Sequence, residues 1–518
     1  MKKILSLGFI LIAACNSAQK TVDDPSVESK SYNPIPYAAS ITEEELKEHL
    51  YIYASDEFEG RETGQPGQKK AIAYLKKAYE DLKIPPAQTN GDYFQKVPLE
   101  VSSVPAGSIT LDGAAHTLGD GLISFTAAEG NYPNFVYLGY GIEDKGYSDY
   151  EGLDVTNKIV LIKAGEPKDD KGNYIISGGL LPSAWSNMSE GIGKKSKLAI
   201  EKGAIGVLYV DAQNYARYEG YFNFMKNNES GRMSLAAETN NNFLIMLKTD
   251  VAKTLVPEME TEHTPKMVES EIVLNIKSGN ETVNSENVVA FIKGSEKPEE
   301  YVVISSHLDH IGVSANGQIN NGADDDGSGT VALLEIAEAF KTAKADGFGP
   351  KRSIVFLHVT GEEKGLLGSK YYTDYDPIFP LEQTVANLNI DMIGRIDPKR
   401  EGNRNYVYLI GSDKLSTDLH ELSEAVNEKY MNIELDYTYN DDNDPNRFYY
   451  RSDHYNFAKN NIPIIFYFNG THADYHKPGD TPDKINYDLL ENRARLVFHT
   501  AWEVANRPEK VVVDKAIE

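Results

Sequence analysis

Tyr301 to Thr330 reads YVVISSHLDHIGVSANGQINNGADDDGSGT, and this stretch decides the fold. Tyr301, Val302, Val303 and Ile304 form an apolar, β-branched run of the kind a buried strand requires. His307, Asp309 and His310 follow at the point where that strand should end. A polar loop rich in Gly and Asn then leads to three consecutive aspartates, Asp324, Asp325 and Asp326. After Gly327-Ser328-Gly329 the period changes: Val331, Leu334, Ala337 and Ala339 interleave with Glu335 and Glu338, as on a helix. In an open α/β sheet, ligands sit at the carboxyl ends of strands, where loops turn into helices. Histidine and carboxylate gathered at such a place are the raw material of a metal site.

The same grammar continues outward. Val288 to Ile292 reads as a strand upstream, and Ile354 to Leu357, Val385 to Ile390, Val407 to Ile410 and Ile462 to Phe468 read as strands downstream. Helical patterns fall at Gly365 to Tyr372, around Leu415 to Tyr430, and at Tyr487 to Ala505. This alternation predicts an α/β domain with a mainly parallel mixed sheet flanked by helices. Nearer the start, Thr42 and Glu45 are spaced as a capping box. Asp56 to Gly67 forms a loop before a helix with Ala71, Leu75, Ala78 and Leu82 on one side. Between Val101 and Ser270 the texture changes to short strand-like pieces, among them Phe135 to Leu138, Ile159 to Ile162 and, after a helix-like Lys197 to Lys202, Ile205 to Val210. We read 101–270 as a β-rich insert in a catalytic domain formed by 37–100 and 271–518. His116 and His263 are the only histidines of that insert, which directs the metal chemistry elsewhere.

The chain's 518 residues allow two or more domains, and 41% hydrophobic with 25% charged residues is ordinary for a globular protein. A formal net charge of −26 argues against nucleic acid and anionic membrane as partners. Lys2 and Lys3 precede an apolar run from Ile4 to Ala14, too short to span a bilayer but right for a signal segment. That run ends at Cys15, the single cysteine of the chain. Residues 1–15 thus look like a bacterial lipoprotein signal ending at the lipidation cysteine, and the polar 16–36 reads as a flexible tether. The expectation is an exported lipoprotein anchored by Cys15, facing the periplasm or the cell exterior. With no other cysteine, the chemistry falls to histidine, carboxylate, hydroxyl or a metal.

Four strand ends carry metal-compatible residues: His307, Glu362 with Glu363, Asp391, and His476 past Phe468. A parallel sheet brings such ends to one rim. Histidine with carboxylate and no cysteine suits catalytic zinc. A pair of metals needs a bridging carboxylate, and a carboxylate beside a ligand, such as Glu362 beside Glu363, is placed to move the proton of an attacking water. A calcium loop is the competing reading, because Asp324-x-Asp326-x-Ser328 with Glu335 approaches the EF-hand pattern. That motif requires a helix before the loop, and here a strand precedes it.

HLDH, GADDDGSG, GEEKGLLGS, NIDMIG, RSDH and DYHKPGDT, in that order, resemble the motifs of the secreted bacterial di-zinc aminopeptidases related to glutamate carboxypeptidase II and transferrin receptor. EGRETGQPGQKKA resembles the entry of that family into its catalytic domain, and KIVLIKAGEP with AIEKGAIGVLYV resembles a protease-associated domain. The resemblance implies two Zn2+ per chain. His307 and Asp391 would hold one, Glu363 and His476 the other, and Asp325 would bridge them. It further implies Glu362 as general base and acid, Tyr475 as a donor to the oxyanion, Asp309 as the partner orienting His307, and Arg451 near the substrate. No role follows for His310, His358 or His454, for which packing or a surface hydrogen bond is the plainer account. The function implied is an exopeptidase acting on peptides, foremost an aminopeptidase. A glutaminyl cyclase of the same superfamily, a carboxypeptidase and a non-catalytic peptide-binding surface lipoprotein are the alternatives.

Overall fold

The computed structural model describes residues 32–187, 190–227, 231–236, 242–400 and 402–515. The signal and Cys15, with most of the tether, lie outside the described residues. A mixed sheet of nine strands organises the larger part of the chain. In chain order these are β1 (Phe94–Ser102), β2 (Arg232–Leu235), β3 (Asn280–Ile292), β4 (Lys297–His307), β5 (Arg352–Val359), β6 (Thr384–Ile390), β7 (Tyr406–Ile410), β8 (Glu434–Asp436) and β9 (Ile464–Phe468). Their order across the sheet is β2-β1-β3-β5-β4-β6-β9-β7-β8. The middle of the sheet, β5-β4-β6-β9, is parallel. On one side β3, β1 and β2 join antiparallel, and on the other β7 runs antiparallel to β9.

Burial explains why the central strands read as continuous apolar runs rather than alternating ones. Every residue of β5 and β6 is buried, as is β4 from Tyr301 to His307, because helices cover both faces. The longer helices are α1 (Glu43–Tyr53), α2 (Pro66–Asp81), α3 (Gly329–Ala345), α4 (Leu367–Asp374), α5 (Thr417–Val426) and α6 (Tyr487–Asn506). Thr42 caps α1 as its spacing predicts: its hydroxyl oxygen accepts from Glu45 N–H, and the hydroxyl donates to Glu45 Oε2 at 2.8 Å. Pro66 opens α2 where its missing N–H costs nothing. Leu333, Ile336 and Phe340 of α3 share the main core with Val497, Phe498 and Trp502 of α6.

A second core runs from Ile109 to Ile276. Its six-stranded sheet has parallel strands Ile159–Lys163, Gly206–Val210 and Phe243–Leu247 at the centre. The helices Gly191–Glu201, Tyr215–Asn227 and Thr249–Leu255 give this region more α/β character than short strands alone predict. The 101–270 segment is also not wholly separate, since β2 leaves it to pair with β1 in the main sheet.

Candidate metal centre

The four parallel strands of the main sheet end side by side, and their carboxyl ends carry the polar groups. His307 closes β4, Glu362 and Glu363 follow β5, Asp391 follows β6, and His476 lies in the loop after β9. Asp325 enters from the turn before α3 and sits at the centre. His307 Nε2 lies 3.2 Å from Asp325 Oδ1 and 3.5 Å from Asp391 Oδ1. His476 Nε2 lies 3.1 Å from Asp325 Oδ2 and 3.0 Å from Glu363 Oε2. All five residues for which the family resemblance implies a ligand role are therefore brought to one point.

Two groups there have the geometry to hold a metal ion: His307, Asp325 and Asp391, and His310, Asp325 and Glu363. Asp325 belongs to both. His307 Nδ1 donates to the carbonyl of Asp309 at 3.0 Å, which orients the ring with Nε2 toward the carboxylates. The Asp309 carboxylate is more distant, at 3.9 Å, and is itself occupied by Thr63 Oγ1 (2.7 Å) and Glu362 N–H (3.2 Å). So the orienting contact to His307 comes mainly from the Asp309 main chain.

The charges fit a cation. Burial alone would raise the Asp325 carboxyl, yet His310, His307 and His476 hold it well below the usual range. Burial likewise opposes charge on His307, and Asp391, Glu362 and Asp325 override it and push the imidazole well above its ordinary value. His476 is pushed up to about 10 against burial by Asp325 and Glu363. The cluster draws positive charge onto His307 and His476 through the carboxylates around them. His307 Nε2 and Asp325 Oδ2 are buried without a hydrogen-bond partner, as ligand atoms aimed at a metal would be. A donor set of His, Asp and Glu without cysteine suits zinc.

The flanking aspartates do not join this set. Asp324 Oδ1 accepts from Gly394 N–H and Ser328 Oγ. Asp326 accepts from the N–H groups of His307, Gly329 and Met392. Both are spent on tying loops together, and β4 precedes the turn, so the calcium-loop reading falls.

The cluster opens into a cleft lined by Asp325, Glu362 and Asp391, by Met392, Phe448, Phe466 and Phe468, and by Arg451, Thr471 and Tyr475. Burial raises the Glu362 carboxyl well above its ordinary value; His307 opposes this, while Glu363, Asp391 and Asp453 add to it. Tyr475 stacks on His476 with ring centroids 3.9 Å apart, and burial beside Asp325 and Glu363 keeps its phenol protonated. Arg451 holds its guanidinium 4.9 Å from the centre of the Phe448 ring.

Three supporting residues escape sequence reasoning. His310 Nδ1 lies 2.9 Å from Glu363 Oε1, and the HLDH motif was the available signal for it. Ser452, from RSDH, donates to Asp391 Oδ2 at 2.6 Å. Thr63, far upstream in EGRETG, reaches Asp309 as described above.

Residues 287–501 match the model of a family described as Peptidase family M28. Aminopeptidase YwaD of Bacillus subtilis (strain 168) is 27% identical over 233 residues, which cover 44% of this chain and 46% of that protein. A probable glutamate carboxypeptidase of Arabidopsis thaliana is 35% identical over 121 residues, covering 23% of this chain and 17% of that one. The chain thus spans less than half the length of these curated relatives. Among solved structures, an aminopeptidase from Aneurinibacillus sp. strain AM-1 aligns over 94% of this chain and 99% of its own, with 18% identity and a TM-score of 0.49. Every residue of the metal-competent cluster falls inside the matched segment, so it is the part of the chain that holds the cluster, residues 287–501, that is similar to peptidase family M28.

Proposed function

We propose that this chain is a zinc-dependent aminopeptidase that removes N-terminal residues from peptides. The observation that carries the reading is the sharing of Asp325 by two His–carboxylate groups, with Glu362 on the same cleft. His307 and Asp391 would hold one zinc ion, Glu363 and His476 the other, with Asp325 common to both. Zinc bound there would polarise the scissile carbonyl and lower the pKa of an attacking water. Glu362 takes the proton of that water and returns it to the leaving amine as the C–N bond breaks; its raised pKa suits a group that must do both. Tyr475, protonated, donates a hydrogen bond to the oxyanion. The apolar wall of Met392, Phe448, Phe466 and Phe468 receives a side chain, and the excess of carboxylates complements a free α-ammonium group.

The test is hydrolysis of an aminoacyl-p-nitroanilide panel, run with and without chelator and after zinc is added back. Release that the chelator abolishes and zinc restores is expected. Silence across the panel would overturn the aminopeptidase and shift the assay to peptides with N-terminal glutamine or C-terminal glutamate.

The proposal extends to an exported enzyme anchored through Cys15, on the strength of the Lys2 to Cys15 pattern. Replacing Cys15 by Ser should release the protein from the membrane fraction. Unchanged retention would count against the anchor.

A further inference from the structure

DYHKPGDT delivers His476 to the metal cluster, yet its second aspartate, Asp480, is buried completely and has no part in the chemistry described above. Asp480 takes hydrogen bonds from three consecutive residues. Ala323 N–H donates to its carbonyl at 3.1 Å. The N–H groups of Asp324 and Asp325 both donate to its Oδ2, at 3.0 and 3.1 Å.

Those amides have nowhere else to turn. They open the helical stretch that becomes α3, where N–H groups lack intrahelical acceptors. Asp325 (φ −104°, ψ 98°) and Asp326 (φ −112°, ψ 46°) also depart from helical geometry, and the turn closes only further on, where Gly327 N–H donates to the Gly322 carbonyl at 3.1 Å. A buried amide left unpaired is strongly disfavoured. The other Asp480 oxygen faces Arg395 Nη1 at 3.8 Å and His472 Nε2 at 4.0 Å.

The loop therefore grips Asp325 twice. Asp480 holds its main chain, and four residues earlier in the same loop His476 meets its carboxylate at 3.1 Å. We propose that Asp480 is a positioning residue that sets the separation between Asp325 and His476, and with it the affinity for the second metal ion. This rests on the zinc reading above, and it makes the 471–481 loop and the triple-aspartate turn one rigid unit. A ligand shared by two metals needs its main chain fixed, because rotation of Asp325 would favour one ion at the expense of the other.

Two measurements on the full chain test it. In the metal-free wild type, the Asp324 and Asp325 amides should be protected from hydrogen exchange; exchange at the rate of an unstructured chain would overturn the proposal without any variant. In the second arm, zinc affinity is read by chelator competition and site geometry by the visible spectrum of the Co2+-loaded protein. Asp480→Ala should weaken the second equivalent of metal by about 10- to 100-fold and change the Co2+ bands. Asp480→Asn, which keeps an acceptor oxygen, should recover most of that loss. Wild-type affinity for both equivalents and an unchanged spectrum in Asp480→Ala would overturn the proposal. If Asp480→Ala does not fold, the exchange arm decides. A wild type that binds no zinc would instead sink the peptidase reading, and amide exchange would still judge the clamp.

Discussion

His310 Nδ1 stands 2.9 Å from Glu363 Oε1, with the imidazole fully buried. The contact takes up one Glu363 oxygen and leaves Oε2 toward His476. A ligand carboxylate held this way presents one oxygen in one orientation, and loss of such a partner typically costs 10- to 100-fold in metal affinity. His310→Ala should therefore weaken zinc binding by about that factor, while His310→Gln, which retains a donor, should lose less. Chelator competition on both variants checks this. Unchanged affinity in His310→Ala would return the residue to a packing role.

Glu362 lies beside the cluster but belongs to neither metal-competent group. Replacing it by Gln preserves its size and removes its ability to take a proton. Turnover should fall by about 10²- to 10⁴-fold while zinc per chain stays at the wild-type value. Turnover and zinc per chain measured on the same preparation separate the two effects. Near-normal turnover would end the assignment of Glu362 as base.

The difference between Glu362 and His310 also marks how far sequence reaches. Strand ends were legible because β4, β5, β6 and β9 are buried on both faces and read as unbroken apolar runs, after which His307, Glu363, Asp391 and His476 stand out. Parallel pairing then forces those ends together. The supports were not legible. Thr63 meets Asp309 across 246 positions, and Asp480 meets Asp325 across 155, because loops fold over the sheet in ways no local period encodes. The strand Arg232–Leu235 escaped for the same reason, being four residues whose partner, β1, is more than a hundred positions away.

Arg61 shows what such long-range support is worth. Its guanidinium is buried and donates to the carbonyls of Leu308, Tyr53, Asn321 and Gly322, at 3.2, 3.2, 2.7 and 2.8 Å. Leu308, Asn321 and Gly322 belong to the loop between His307 and Asp325, and Tyr53 ends α1. The approach is close: a Cβ on neighbouring Gly60 (φ +66°) would lie 2.4 Å from Asn320 O. Arg61→Ala would strand the Tyr53 and Asn321 carbonyls, while Leu308 keeps the Tyr53 hydroxyl and Gly322 keeps Gly327 N–H, so at about 1–3 kcal/mol each a loss of roughly 2–6 kcal/mol is expected in urea unfolding. Arg61→Lys keeps the charge with three donors instead of five and should lose less. Equal stability of Arg61→Ala and wild type would remove the residue from the loop's support.

His499 supplies a prediction about pH that does not involve the metal. It stacks on Tyr430 with ring centroids 4.2 Å apart and planes 4° from parallel, and its Nδ1 is buried without a partner. Burial lowers its pKa to about 4; Glu503 opposes the shift, while Arg495 and Lys429 reinforce it. The folded protein thus refuses a proton that the unfolded chain accepts near its ordinary value of about 6.5. The unfolded state binds more protons between those two values, so stability falls as pH drops through 6.5 toward 4 and is unaffected by this group above about 7. The slope approaches about 1.4 kcal/mol per pH unit, or on the order of 2 kcal/mol between pH 7 and pH 5. Buried carboxyls with raised pKa, such as Asp453 at about 7, act in the opposite direction, so the total curve does not isolate His499. Comparison with His499→Phe does, because the variant keeps a ring against Tyr430 and loses only the titration. Unfolding of both proteins in chelator at pH 7 and pH 5 should show the variant gaining on wild type by about that amount as pH falls. Parallel stability at the two values would mean that His499 is protonated in the fold, and that a partner for Nδ1 forms in solution.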